Sequence, residues 1–274
     1  MKKKIICIIL ISLVGWNMTH AQKFYARVGV GGGISTSASL DLIYKYETDG
    51  TSSYLSVVPV GIGNGVNGNL SFGYLFNKYL GVDLTVNGFM GFPTGSDSVS
   101  SLLGSSRSEV KIAGDLISFI PGIVITAGLE KVNPYARFGV LIGAFPMLFE
   151  RYKTENPTVN PAQSAELTNG FYGGVALGYS ATGGCDFNLN KLINLFVELS
   201  FSHATWSPNY SEVIEYTVNG EDQLSTLTTY QKKTEFVDKI QFNVNPSHDD
   251  PRKALRMTFP FSTFAVNFGV KFKF

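Results

Sequence analysis

The chain has 274 residues, 22 basic and 21 acidic side chains, a formal net charge of +1 and a charged fraction of only 16%. So even a balance offers nucleic acid no electrostatic footprint. Twenty-nine glycines, 21 phenylalanines and 13 tyrosines beside so few charges do not fit an ordinary water-soluble secreted domain.

The first stretch sets the compartment. Lys2, Lys3 and Lys4 precede the apolar run "IICIILISLVGW" and the small-residue site "THAQ", so residues 1–21 read as a secretory signal peptide and the mature domain as 22–274. Losing three lysines takes the balance to 19 basic against 21 acidic residues, and Cys185 is the single cysteine left, which excludes an intramolecular disulfide. Beyond the leader there is no continuous run of ~18 apolar residues, so a membrane crossing would have to be made by a closed barrel of strands.

Alternation begins at once. In 24–34, Ala26, Val28, Val30 and Ile34 share one face while Tyr25, Arg27, Gly29, Gly31 and Gly33 share the other. The glycine-rich "GVGGGIS" is not followed by a helix or a suitably placed lysine, so it reads as close-packed lumen backbone rather than a phosphate loop. Segment 68–76 sets Leu70, Phe72, Tyr74 and Phe76 outward; after a turn of about two residues, 79–91 returns with Asp83, Thr85 and Asn87 inward. Segments 109–129 and 134–145 form a second hairpin, with Ala136, Phe138, Val140, Ile142 and Ala144 outward. Asp115 and Ser118 cannot both face inward without a one-residue slip near Ile117, so a bulge is expected there. Segments 170–187 and 194–206 form a third hairpin, and 255–274 closes the set.

The expected fold is therefore all-β, a transmembrane antiparallel up-and-down barrel of eight strands, with short periplasmic turns and long extracellular loops. Ten strands is the alternative count, because "YLSVVPVGI" at 54–62 could prolong strand 2 or add a pair. The loops occupy 35–66, 93–109, 151–169 and 207–254, and Asn219-Gly220 in the last predicts a hairpin of its own.

The leader, the alternation of short and long connections and the closing "FAVNFGVKFKF" resemble the small outer-membrane β-barrel proteins of Gram-negative bacteria, most nearly the Bacteroidetes-type barrel domain. The resemblance covers nearly the whole mature chain and rests on pattern. It implies outer-membrane localisation, outer-membrane lipid as surroundings, and the barrel-assembly machinery as a partner that reads the terminal Phe274 as part of an insertion signal.

The inward positions carry Arg27, Asp83, Asp115, Arg137, Asp186, Glu198 and Lys271, with Lys111 and Lys273 also on that face. An eight-stranded lumen is narrow enough for side chains to fill, and buried charges must pair, so these residues are expected to form a charge network that plugs the turn-side half. Arg137 with Asp186 on the adjacent strand is the first expected contact. Such a plug predicts a non-catalytic structural or surface-interaction protein, with any extracellular ligand bound at the loops; a narrow or gated channel for small or hydrophobic solutes is the alternative. Phe24, Phe76, Tyr79, Phe187, Phe272 and Phe274 fit an interfacial girdle on the turn side, with Trp206 towards the loops.

Catalytic and metal chemistry find little support. His203 neighbours Glu198, Ser200 and Ser202 in sequence, which raises a membrane-embedded lipid hydrolase, but alternation puts the histidine outward and the other three inward. His248, Asp249 and Asp250 lie between two prolines and read as a solvated turn. Cys185 points outward beside Phe187 as a passive apolar residue. No cofactor is expected.

Overall fold

A computed structural model of the chain describes residues 24–36, 44–48, 53–57, 61–100, 106–156, 163–240 and 247–274. The expected signal peptide at 1–21, its expected cleavage site and residues 58–60 of "YLSVVPVGI" lie outside the described residues.

Eight strands follow one another around a closed ring: β1 (Phe24–Ser35), β2 (Gly65–Leu75), β3 (Leu80–Gly91), β4 (Ser106–Thr126), β5 (Val132–Asn156), β6 (Ala176–Asn188), β7 (Ile193–Trp206) and β8 (Phe259–Lys273). Each pairs antiparallel with the next, and β8 closes on β1 through a ladder from Tyr25↔Lys273 to Ser35↔Thr263. Closure satisfies every edge of the ring, which an open sheet cannot do in hydrocarbon.

The two faces are sorted inside out. Val28, Val30 and Ile34 on β1 are 50%, 52% and 64% exposed, whereas Arg27 just before them is 1% exposed. The same holds on β4, where Ile117, Phe119, Ile123 and Ile125 face out while Ser118, Val124 and Thr126 are buried. So large an apolar belt cannot be left to water; it faces lipid, and the barrel is transmembrane. Phe24 to Ile34 spans about 33 Å along the strand, which a tilt near 40° reduces to roughly 25 Å, the height of a hydrocarbon band. Among the described residues no helix is long and apolar enough to cross a membrane.

At one end the connections are short. Residues 76–79 and 189–192 link β2 to β3 and β6 to β7, four residues each rather than the expected two in the first case. Asparagine makes both turns: Asn77 Oδ1 accepts from the amides of Tyr79 and Leu80, and Asn190 Oδ1 from those of Leu192 and Ile193. At the other end β4 and β5 run on past the ring. Residues Thr94–Ser100 pair with the extended part of β4; Gln163–Tyr172, Tyr210–Val218, Lys233–Val237 and Arg252–Leu255 add successively beyond β5. The segment expected as one strand at 170–187 is thus split, because Gly173 and Gly174 at φ 80° and 76° turn the chain out of one sheet position and into another. Tyr44–Thr48 and Ser53–Val57 form a separate two-stranded hairpin instead of lengthening the barrel, so the ring keeps eight strands. Asn219 and Gly220, at φ 51° and 84°, make the expected turn between Val218 and Glu221.

The register between β4 and β5 shifts between Asp115 and Ile117. The extra residue belongs to β5, where Phe145 adopts φ 52°: inward positions are odd through Gly143 and even from Pro146 onward, while β4 alternates without a break. The bulge marks where the lipid belt stops. Above it, the outer face carries Glu109, Lys111, Arg151, Lys153 and Glu155 in place of isoleucine and phenylalanine.

Candidate functional site in the lumen

The inward faces stack into three layers. Nearest the turns, charges from six strands meet. Arg27 of β1 lies between the rings of Tyr135 and Phe196, 4.3 and 4.1 Å from their centroids, and its Nη2 is 3.3 Å from Glu198 Oε2 and 3.6 Å from Asp186 Oδ1. Arg137 of β5 donates through Nη2 to both oxygens of Glu198 at 2.9 and 2.8 Å, and through Nη1 to Thr85 at 3.1 Å, Ser71 at 3.3 Å and Asp83 at 3.4 Å. Lys271 of β8 donates to Asp186 Oδ2 at 2.7 Å and sits 4.5 Å from the centre of the Tyr25 ring. Three cations therefore face three carboxylates, and the cluster carries no net charge.

Two tyrosines complete it. Tyr25 donates to Asp83 at 3.1 Å; Tyr135 donates to Glu198 at 2.7 Å and accepts from Arg27 Nη2. Sequence reading placed Tyr25 inward but gave neither ring a role, although both alternate with the charges they serve. The glycines opposite also follow from this packing: a Cβ on Gly29 would lie 2.7 Å from Phe196 Cζ, and one on Gly31 2.0 Å from Asn267 Oδ1. Side chains of other strands fill the space above β1.

Six of the seven expected lumen charges, Arg27, Asp83, Arg137, Asp186, Glu198 and Lys271, are brought together in this layer. Asp115 is not among them. It lies on the odd, outward positions of β4, because the extra residue was inserted across the ladder in β5, and its Oδ1 accepts from the Gly91 amide at 3.1 Å. Lys111 is likewise outward and pairs with Glu109. Lys273 is at the turn-side rim, 3.3 Å from Asn188 Oδ1. The expected Arg137–Asp186 contact does not form: the β5–β6 register sets Arg137 against Thr182 and Asp186 against Asn133, about 13 Å further along the strand.

Above the charges the wall turns to neutral polar groups. Asn67 Nδ2 donates to Asn267 Oδ1 at 2.8 Å and to Asn87 Oδ1 at 3.2 Å, and Asn267 Nδ2 to Ser200 Oγ at 2.9 Å. These residues surround a cavity of about 80 Å³ that reaches down to Asp83, Arg137 and Glu198. Its upper boundary is apolar, formed by Phe89, Leu116, Ile120, Leu141 and Phe261. They belong to a buried cluster that continues through Ile62, Ile112, Leu148, Phe171, Phe236 and Phe259 into the space beneath the extended sheet. Trp206 is part of it: it is fully buried, with Nε1 donating to Gly173 O at 2.7 Å, not an interfacial residue facing lipid. The signal for this roof was the switch of the inward faces to Phe89, Leu116 and Phe261 near the loop ends.

His203 Nδ1 is 2.6 Å from Ser262 Oγ on the outer face, whereas Ser202 donates to Ser180 and Ser200 accepts from Asn267 inside. The histidine and the serines beside it in sequence are thus on opposite sides of the wall. Ser262 itself is 3% exposed. Among the described residues no group of three His, Cys, Asp or Glu side chains converges as a metal would require.

No protein-family model matches this chain, and no curated protein matches it. Among solved structures, it is similar to the attachment invasion locus protein Ail of Yersinia pestis, at 12% identity over 92% of this chain and 99% of that one, with a TM-score of 0.31. It is similar also to the outer membrane protein OprG from Pseudomonas aeruginosa, at 14% identity over 93% and 96% of the two chains, with a TM-score of 0.41.

Proposed function

We propose that the chain is an integral outer-membrane barrel, exported through a cleaved signal peptide at 1–21, whose lumen is plugged at the periplasmic end and whose role is exercised outside the cell by the sheet and loops above the lipid belt. One observation carries this reading: Arg27, Arg137 and Lys271 cross the lumen to Asp83, Asp186 and Glu198 in one hydrogen-bonded layer. Opening it would separate desolvated charges, each at a cost of several kcal/mol. The extended sheet supports the second half of the proposal, because its charged outer surface stands clear of the membrane on a rigid base.

The barrel acts without catalysis. The part-buried contact of His203 with Ser262 leaves the serine 3% exposed, closed off from substrate. Phe274 serves the assembly machinery as an insertion address and the lipid interface as an anchor. The test is electrical: mature protein reconstituted into planar bilayers gives no steady current at moderate voltage. A large, stable, ohmic conductance overturns the plug.

A further inference from the structure

The cavity between the ionic floor and the apolar roof has the chemistry of a binding site. By the measure in which one water takes roughly 10–15 Å³, its about 80 Å³ holds on the order of five to eight water-sized atoms. Its wall is neutral and hydrogen-bonding, from Asn67, Asn87, Asn267, Ser118 and Ser180, and its roof is hydrocarbon. Two atoms on lining residues have no hydrogen-bond partner among the described residues: Asn67 Oδ1, an acceptor, and Arg137 Nε, a donor. Buried groups of this kind gain from a guest that supplies the missing partner.

The charge balance narrows the guest. Arg137 is answered by Asp83 and Glu198, and the floor as a whole is neutral, so an ion entering would lose its hydration without finding a counter-charge. A purely apolar guest would strand the amides and hydroxyls of the wall. A compound with a donor and an acceptor on every carbon, and C–H groups to lie against Phe89, Leu116 and Phe261, satisfies both surfaces.

We propose that this chamber binds a small uncharged polyol of three or four carbons, admitted from the loop end. The proposal rests on the plugged-barrel reading for its floor. Its entry side follows from how the two ends are held. The floor is ionic, whereas the roof is backed by Ile62, which comes from the connection between β1 and β2, not from the ring, and packs with Phe261 over Gly114. Displacing the Ile62 side chain breaks no ladder of the barrel, while the backbone beside it stays tethered: Thr263 Oγ1 donates to Gly63 O at 3.1 Å, and Asn64 accepts from the amides of Ser35 and Phe92.

The experiment is saturation-transfer NMR on the mature protein in detergent micelles, with erythritol and glycerol as probes and sucrose and glycerol 3-phosphate as oversized and charged controls. Erythritol and glycerol should receive transfer that saturates with concentration, and the two controls should receive none. Ser180→Leu, which fills the chamber, and Asn67→Leu, which removes the orphan acceptor, should each cut the transfer at least tenfold while the protein retains heat-modifiable mobility. Ile62→Ala should speed probe exchange severalfold without abolishing binding. Absence of transfer in the unaltered protein, or transfer unchanged by Ser180→Leu, overturns the chamber, as does equal transfer to glycerol 3-phosphate. The bilayer record separates this from the scaffold reading: a conducting protein with Ser180-sensitive transfer sinks only the plug, and a silent one without it sinks only the chamber.

Discussion

Arg137 and Glu198 face each other from β5 and β7 across the lumen, with one guanidinium nitrogen donating to both carboxylate oxygens at 2.9 and 2.8 Å. The pair joins strands that are not neighbours in the ring and links the Asp83 side of the cluster to the Arg27 side through a shared carboxylate. Glu198→Ala leaves two buried arginines short of a partner and should cost about 3–5 kcal/mol of unfolding free energy. Adding Arg137→Met should recover part of that loss, because the remaining Arg27 keeps Asp186, and Asp83, which loses its cation, keeps the Tyr25 hydroxyl. Urea unfolding in micelles measures both; a single substitution as harmless as the pair would show that the contact carries no structural load.

Trp206 reports on the roof. Its indole sits against Phe259 and Phe261, 5.6 and 5.9 Å between centroids, with its N–H committed to Gly173. Emission should be that of a dry, apolar site. Trp206→Phe retains most of the packing but leaves the part-buried Gly173 carbonyl without its donor, and should lower stability by about 1–3 kcal/mol. Water-like emission from the native protein would place the ring outside the cluster.

Glu150 and Tyr152, above the bulge and clear of the lipid belt, make the extended sheet pH-dependent. Burial holds the Glu150 carboxyl above its usual range, against the opposing effect of the Tyr152 hydroxyl that donates to it. As pH rises past the ordinary value of 4.5, the unfolded chain gives up its proton first, and stability falls until the folded carboxyl has ionised too. Amide exchange in Gln163–Tyr172, which pairs with this part of β5, should therefore quicken from acid towards neutral pH beyond its intrinsic dependence. Glu150→Gln should flatten that excess; an excess slope that survives in the variant assigns it elsewhere.

Period-two alternation made the ring and six of its seven expected lumen charges legible, because lipid and lumen impose opposite demands on successive residues. Partner choice was not legible. Which inward charges meet depends on ladder register, so Arg137 and Asp186 share a face on adjacent strands yet are too far apart along them. Asp115 was misplaced for a related reason: a bulge shifts phase in one strand only, and nothing near Ile117 shows that the extra residue is Phe145 on the other side of the ladder. The sheet beyond the belt was hidden in segments that read as polar loops. Their strands are half-buried against one another, and no hydrocarbon enforces a strict pattern there.

The bulge gives its own test. Phe145 is the residue by which β5 exceeds β4 between Ala144 and Met147, so deleting it leaves every other side chain on its present face. The barrel should form, with a straighter β5 above the belt. Deleting Phe138, a regular rung paired with Ile123 and well below the bulge, should instead turn residues 139–144 inside out and abolish heat-modifiable migration. Equal behaviour of the two deletions would show that β5 tolerates a register change anywhere.

Phe274 separates folding from delivery. Its amide closes the last rung on Phe24 O at 2.9 Å, and its ring is 67% exposed on the outer face, so the backbone can make the same bond whatever side chain follows Lys273. Phe274→Ala should then refold into micelles nearly as well as the unaltered chain, losing no more than the roughly 1.5–3 kcal/mol of an apolar side chain at the lipid interface. In cells the same substitution should reduce the membrane-inserted fraction severalfold and leave precursor or degraded chain behind, if the assembly machinery reads that aromatic. Normal insertion in cells would make Phe274 an anchor alone, and failure to refold in micelles would make it structural.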